Sequence, residues 1–112
     1  MYMLDIAKNY ASWSVCNKRK VGAVVVKNGH IISYGFNHGY EESCTCSHDS
    51  KNPHVLHAEQ MALCGKDREI YNGATIYVTY PPCEKCMVLI EQCKISEVIY
   101  LDKLGVKKRE VI

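Results

Sequence analysis

The chain has almost no excess of either charge and no long apolar run. Its 14 Lys and Arg side chains nearly balance its 12 Asp and Glu side chains, which leaves a net charge of +2. Binding to a polynucleotide depends on many positive side chains, so this balance disfavours a nucleic-acid partner. No apolar stretch approaches the ~20 residues of a membrane-spanning helix. The first ten residues include Asp5 and Lys8, so we expect neither a membrane anchor nor a secretory signal.

The chain also lacks repeats, low-complexity segments and a linker. Hydrophobic residues make up 47% and charged residues 23% of the 112 residues, which are ordinary proportions for a globular protein. Only three prolines are present. We therefore predict one domain over residues 1–112.

Cysteine is frequent, but its pattern does not predict a disulfide scaffold. The seven cysteines are an odd number, and one pair forms Cys-x-x-Cys with a histidine elsewhere in the chain. Such a pattern favours thiolates on a metal ion in a reducing compartment, so we expect a cytoplasmic protein. Cys64 and Cys93 are predicted to be small core residues on helix faces.

Hydrophobic spacing predicts alternating helices and strands. Residues 1–15 have helical spacing, and residues 21–26 and 30–34 flank Asn28-Gly29 as a β-hairpin. Residues 35–53 should be a long loop, followed by a helix over 57–64, a strand over 74–79, a helix over 83–93 and a strand over 97–101. The tail 102–112 has no clear pattern. This order predicts an α/β fold, a three-layer α/β/α sandwich with a mixed central sheet.

Four residues carry the main chemical signal: His57, Glu59, Cys83 and Cys86. They form the H-x-E…P-C-x-x-C pattern, in which one His and two Cys hold a zinc ion and the Glu moves protons. Three protein ligands leave the fourth tetrahedral position for water, as in catalytic zinc sites. Both Cys stand at a predicted helix start, where the helix dipole favours thiolate. The pattern predicts a zinc-dependent deaminase with a zinc-activated water and a glutamate proton shuttle.

Simpler interpretations of these motifs exist. A lone Cys-x-x-Cys is commonly half of a structural zinc site or a redox pair, and a lone His-x-Glu carries little information. Their combination, with a strand between them and each at a helix start, favours the catalytic interpretation.

With these residues placed, the chain resembles the cytidine/deoxycytidylate deaminase family over about residues 1–101, and within it the deoxycytidylate (dCMP) branch. The matching segments are residues 20–26 with 27–33, 35–37, 57–62, and 73–79 leading into 82–86. The zinc motif identifies the superfamily, and the hairpin and strand segments narrow it.

The resemblance implies hydrolytic deamination of dCMP to dUMP with release of ammonia. It implies zinc on His57, Cys83 and Cys86, with Glu59 as the proton shuttle. It also implies that Asn37 contacts the nucleotide sugar, that the main chain around Ala58 meets the base edge, and that Tyr80 and Pro81 line the pocket. Self-association is expected, as a dimer or a hexamer.

The sequence departs from the family at two places. Asn37 is followed by His-Gly-Tyr instead of the usual Gly and nearby Pro. The chain also ends soon after residue 101, where relatives often continue with a helix and a fifth strand. Two alternatives follow, a minimal form without the C-terminal strand or a last strand replaced by a partner contact.

A second, structural zinc site is suggested by Cys and His residues in the long loop. Some dCMP deaminases resemble this in carrying such a zinc. The candidate ligands, called the loop ligands below, are Cys44, Cys46, His48 and His54 of the loop together with Cys16, which lies just before the hairpin. A metal would order a polar loop that buries little apolar surface. The alternative is a flexible loop with spare thiols.

Several functions remain in competition. Within the enzymes, the rivals are deamination of free cytidine, of another nucleobase or nucleotide, or of adenosine in tRNA. Arg19, Lys20 and Lys51 are candidates to clamp one phosphate of a nucleotide. An alternative from another functional class is a non-catalytic zinc module. The presence of Glu59 argues against it, because a purely structural zinc site has no use for the acid.

Overall fold

The computed structural model describes residues 2–14, 19–37, 57–65 and 67–112. Within these ranges the chain forms three α-helices, a short 3-10 helix and five strands. Their bounds are α1 Tyr2–Ala11, β1 Gly22–Lys27, β2 His30–Phe36, α2 Ala58–Ala62, the 3-10 helix Arg68–Tyr71, β3 Thr75–Val78, α3 Glu84–Gln92, β4 Glu97–Leu101 and β5 Lys107–Val111. No helix in the described ranges combines the length and the apolar character needed to cross a bilayer.

The predicted hairpin is confirmed. Strands β1 and β2 pair antiparallel up to Lys27 and His30, and Asn28 and Gly29 have φ values of 53° and 79°. Two successive residues with positive φ match the hairpin turn that an Asn-Gly sequence favours. The register shifts between Val25 and Val26, as at a β-bulge.

The sheet is mixed, with the strand order β2-β1-β3-β4-β5. Strand β1 pairs antiparallel with β3, whereas β3 and β4 are parallel. A parallel pair requires a crossover connection, and α3 provides it. The mixed sheet that the element order predicts is therefore confirmed.

The C-terminal strand is present, so both alternatives, a missing strand and a strand replaced by a partner contact, were wrong. Strand β5 pairs antiparallel with β4 through residues 107–111. The Asp102 carboxylate accepts hydrogen bonds from the amides of Leu104 and Val106, at 2.9 and 2.8 Å. This bonded turn reverses the chain directly, so no helix is needed between the two strands. Glu97 and Arg109 form an ion pair across β4 and β5.

Helices cover both faces of the sheet, as the three-layer prediction requires. On one face, Met3 and Ala7 of α1 pack on Val24 and Val26. On the other face, buried residues of α2 and α3 pack on the opposite side of the same strands; this core includes Ala23, Val25, Ala58, Ala62, Ile76, Val78, Ile90 and Val98. Alternate residues of β1 thus point to opposite faces, and both faces are apolar because both are covered.

Helix α2 is fixed to the edge strand β2 by two polar contacts. The Ser33 hydroxyl donates to the carbonyl of Ala62 at 2.5 Å, and the amide of Phe36 approaches the Met61 sulfur at 3.4 Å. These contacts lie on the face where α2 and α3 meet. They help to position α2 and therefore His57, the residue immediately before it.

Candidate functional site

Two helix starts meet beside the end of β3 and bring the predicted zinc ligands together. His57 is the N-cap of α2, with extended backbone angles, and Cys83 is the N-cap of α3, also extended. Cys86 lies three residues after Cys83, one helical turn on, so both sulfurs share a side of the helix. Pro81 and Pro82 end the preceding segment, because proline cannot continue the sheet pairing of β3.

The geometry of the three ligands fits a zinc ion. The Nδ1 atom of His57 lies 3.3 Å from the sulfur of Cys86 and 3.7 Å from the sulfur of Cys83. Tetrahedral zinc with Zn–S of about 2.3 Å and Zn–N of about 2.0 Å separates a sulfur from a nitrogen by about 3.6 Å. All three ligand atoms lie within 4.8 Å of one another. Among the described residues this is the one group of His, Cys or acidic side chains with such an arrangement.

Cys86 shows why the site requires a cation. The residue is 1% exposed, and burial raises the pKa of its thiol, with smaller contributions from Glu59 and Cys83. Burial therefore opposes the thiolate form that a helix start favours. A zinc ion on the three ligands would supply the positive charge that the thiolates need.

Glu59 is a buried acid next to these ligands. Its exposed fraction is 4%, and burial raises its pKa, while hydrogen bonds from its own backbone and from Cys86 oppose the rise. A carboxyl group with a raised pKa holds and releases a proton more readily near neutral pH than an exposed one. Glu59 therefore has the position and the environment of a proton-transfer group.

Gln60 supports His57, a role that was not predicted from the sequence. Its side-chain oxygen accepts a hydrogen bond from the backbone amide of His57 at 2.8 Å. A Gln three residues after the N-cap is the signature of a capping interaction, so the signal was available. The bond fixes the backbone that carries the imidazole ligand.

The predicted substrate contacts occupy the same end of the sheet. The Asn37 side-chain oxygen accepts from the amide of Val21 at 2.8 Å, and its nitrogen donates to the Arg19 carbonyl at 2.7 Å. Tyr80 lies under the Arg19 guanidinium, with 3.8 Å between Cζ and the ring centroid. Ala58 is buried, and Pro81 is partly buried. The substrate roles of Asn37, Ala58, Tyr80 and Pro81 remain predictions.

The proposed second zinc site lies outside the described residues, since Cys16, Cys44, Cys46, His48 and His54 all do. Of the other cysteines, Cys93 is buried, as predicted. Cys64 is exposed, so its prediction as a core residue was wrong. Its thiol donates to the carbonyl of Met61 at 2.9 Å, at the point where α2 has ended.

A family model for the cytidine and deoxycytidylate deaminase zinc-binding region matches residues 1–102. Deoxycytidylate deaminase of Saccharomyces cerevisiae is 38% identical over 113 residues, which cover 88% of this chain and 36% of the yeast protein. Deoxycytidylate deaminase of Mycobacterium phage D29 is 37% identical over 116 residues, covering 88% of this chain and 91% of the phage protein. The chain thus spans about a third of the yeast relative and most of the phage relative.

A solved structure extends the likeness to three dimensions. The dCMP deaminase of cyanophage S-TIM5, crystallised with dCMP and dUMP, superposes with a TM-score of 0.79 at 34% identity. The match covers 88% of this chain and 77% of the cyanophage chain. Together with the ligand geometry and the extent of the family match, these likenesses establish that the chain belongs to the cytidine and deoxycytidylate deaminase family, whose fold carries a zinc-binding region.

Proposed function

We propose that this protein hydrolyses dCMP to dUMP and releases ammonia. The observation that carries the proposal is the cluster of His57, Cys83 and Cys86 with the buried carboxyl group of Glu59 beside it. Two relatives that this chain matches over most of their length, from Mycobacterium phage D29 and cyanophage S-TIM5, are dCMP deaminases. A role in pyrimidine nucleotide metabolism follows from that reaction.

The three ligands would hold one zinc ion, which supplies Lewis acidity that activates water for hydrolysis at neutral pH. The Glu59 carboxylate accepts a proton from the attacking water and delivers it to ring nitrogen N3 of the cytosine. The water oxygen bonds to C4, and its second proton then passes through Glu59 from the C4 hydroxyl to the exocyclic nitrogen. The bond from C4 to that nitrogen breaks, the C4 carbonyl forms, and the nitrogen leaves as ammonia. Burial of Glu59 supports this assignment, because it brings the pKa of the carboxyl group closer to the operating pH.

The remaining residues of the site bind and orient the nucleotide. Main-chain groups around Ala58 contact the base edge, and Tyr80 and Pro81 form a wall of the pocket. Asn37 contacts the sugar through its second amide N–H and the second lone pair of its oxygen, in addition to its bonds to Arg19 and Val21. Residues 1–112 form a single deaminase domain in this proposal.

We expect the protein to act in the cytoplasm as a homo-oligomer, a dimer or a hexamer. Zinc ligation needs reduced sulfur, and the described cysteines 64, 83, 86 and 93 are all free thiols. The near-neutral net charge disfavours a polynucleotide substrate. Light scattering of the zinc-loaded protein measures the number of copies.

The test is ammonia release from dCMP, deoxycytidine, cytidine and a tRNA stem-loop by the zinc-loaded protein. We expect dCMP to react fastest. Glu59→Gln should retain zinc and the thermal melting curve of the wild type but lose turnover, because the amide cannot accept the proton. A near-normal rate for Glu59→Gln would remove Glu59 from this role. Zinc binding with no ammonia from any substrate would favour a non-catalytic zinc module.

A further inference from the structure

Arg19 and Tyr80 form a pair at the same end of the sheet as the metal ligands. The guanidinium carbon of Arg19 lies 3.8 Å from the centre of the Tyr80 ring, and both residues are partly buried. Tyr80 lies on the short segment between the end of β3 and Cys83, the first residue of the Cys-x-x-Cys pair. Only Pro81 and Pro82 separate Tyr80 from Cys83, so a short stretch of chain links the Arg19–Tyr80 pair to a zinc ligand.

Hydrogen bonds from Asn37 hold the backbone at Arg19. The Asn37 side chain bonds the Arg19 carbonyl with its nitrogen and the Val21 amide with its oxygen. The Asn37 amide in turn donates to the Val21 carbonyl at 3.2 Å. The buried Asn37 side chain thus bonds the backbone on both sides of residue 20. These bonds fix the direction of the backbone at Arg19, which precedes β1.

The charge of Arg19 has no acidic counterpart in the described part of the chain. The ion pair found in those ranges joins Arg109 to Glu97, at the opposite edge of the sheet. A guanidinium that contacts an aromatic face still has N–H donors in its plane, and their fork matches the oxygens of a phosphate. Stacking restricts the flexible side chain before any ligand binds, which lowers the entropy cost of binding.

We propose that Arg19, positioned by Asn37 and Tyr80, binds the 5′-phosphate of the substrate and thereby selects a nucleotide over a nucleoside. This inference rests on the proposed function, since it names the residue that recognises one group of the same substrate. The structure favours Arg19 over Lys20, which is exposed. The third candidate, Lys51, lies outside the described residues. In this proposal Asn37 positions Arg19, the residue that binds the phosphate, in addition to any contact of its own with the sugar.

The experiment compares kcat/KM for dCMP and for deoxycytidine in the zinc-loaded wild type and in Arg19→Ala. Loss of a charge-assisted contact to phosphate should lower kcat/KM for dCMP by about tenfold to a hundredfold. The value for deoxycytidine, which has no phosphate, should change by less than about twofold on the same reasoning. Arg19→Lys keeps the positive charge but lacks the forked guanidinium. Its kcat/KM for dCMP should lie between the values of the wild type and of Arg19→Ala.

The control is Arg68→Ala, the same substitution at an exposed arginine in the 3-10 helix that precedes β3. It removes one positive charge at the other end of the sheet. The kcat/KM values for dCMP and for deoxycytidine should both stay unchanged. An equal loss for dCMP and deoxycytidine in Arg19→Ala would show a purely structural role and overturn the proposal. No loss for dCMP would overturn it as well.

Binding of dUMP and deoxyuridine, measured by calorimetry on zinc-loaded protein, separates this inference from the proposed function. If the wild type deaminates neither dCMP nor deoxycytidine, the proposed function fails. Preferential binding of dUMP that is lost in Arg19→Ala would still support the phosphate contact in that case. Equal binding of dUMP and deoxyuridine to the wild type would reject it.

Discussion

Gly35 should be important for tight zinc binding, because a side chain at this position collides with the helix that begins at the metal site. A Cβ atom on Gly35 would lie 2.2 Å from the carbonyl oxygen of Ala58 and 2.7 Å from the amide of Ala62, both in the α2 backbone. Contacts of this kind are tight at 3.0–3.4 Å, so Gly35→Ala should move α2 by about 0.8–1.2 Å.

That displacement exceeds what the metal site tolerates. Metal–ligand distances vary by only about 0.2 Å in a working site, and α2 starts one residue after His57. We expect Gly35→Ala to lower the free energy of unfolding by about 1–3 kcal/mol and zinc affinity by at least about tenfold. Because Glu59 moves with α2, kcat/KM should fall by about a hundredfold.

The assay is zinc retention against a chelator, together with thermal unfolding and ammonia release. Gly22→Ala is a matched control: its Cβ would lie 1.9 Å from the Ala7 carbonyl and 2.7 Å from the Ala11 amide, in α1 on the other face of the sheet. It should destabilise the protein comparably but retain zinc. If Gly35→Ala keeps wild-type zinc affinity and rate, or if both variants lose zinc equally, the geometric reasoning is refuted.

Two further predictions concern zinc. Gln60→Ala removes the bond to the His57 amide and should lower the free energy of unfolding by about 0.5–2 kcal/mol, with weaker zinc retention; Gln92→Ala, exposed in α3, is the control, and identical melting and zinc retention in Gln60→Ala and wild type would contradict the role. Metal analysis of purified protein should give two zinc ions per chain if the loop ligands hold a second ion, and one ion per chain would reject that site.

The elements that the sequence predicted well have local causes. The hairpin follows from Asn28-Gly29, since those two residues adopt positive φ at low cost. The zinc site follows from spacing at two helix starts, where Cys83 and Cys86 necessarily share a side. The hairpin can be inferred from one short stretch of chain. The meeting of His57 with the two Cys, 26 and 29 residues away, is predictable only because these residues form a recognised motif.

Strand β5 was missed because nothing in its sequence demands burial. All five of its residues are exposed, and a run such as Lys-Lys-Arg-Glu-Val has neither an apolar run nor an apolar alternation. It forms a strand because β4 offers unpaired backbone groups at the edge of the sheet, which is a tertiary cause. Charged residues on such an edge also oppose the addition of a further strand. The same charges that made β5 unrecognisable in the sequence therefore suit an edge strand.

The Asn37 contacts were hidden for a related reason. The turn after β2 could be recognised as a family motif, but its partners Arg19 and Val21 lie 18 and 16 residues away. Only the antiparallel pairing of β1 and β2 brings the end of one strand beside the start of the other. Side-chain bonds of this kind depend on register, which spacing within one segment does not reveal.

Burial and charge at the metal site are two parts of one physical requirement. Glu59 and Cys86 are adjacent acids, and both pKa values are raised because water is excluded. Without a cation, burial favours the protonated form of both acids. A divalent ion on the three ligands reverses this, since the same low dielectric that opposes a lone thiolate strengthens its attraction to zinc. A dry site for a proton-transferring acid therefore needs the metal for its electrostatic balance as well as for its chemistry.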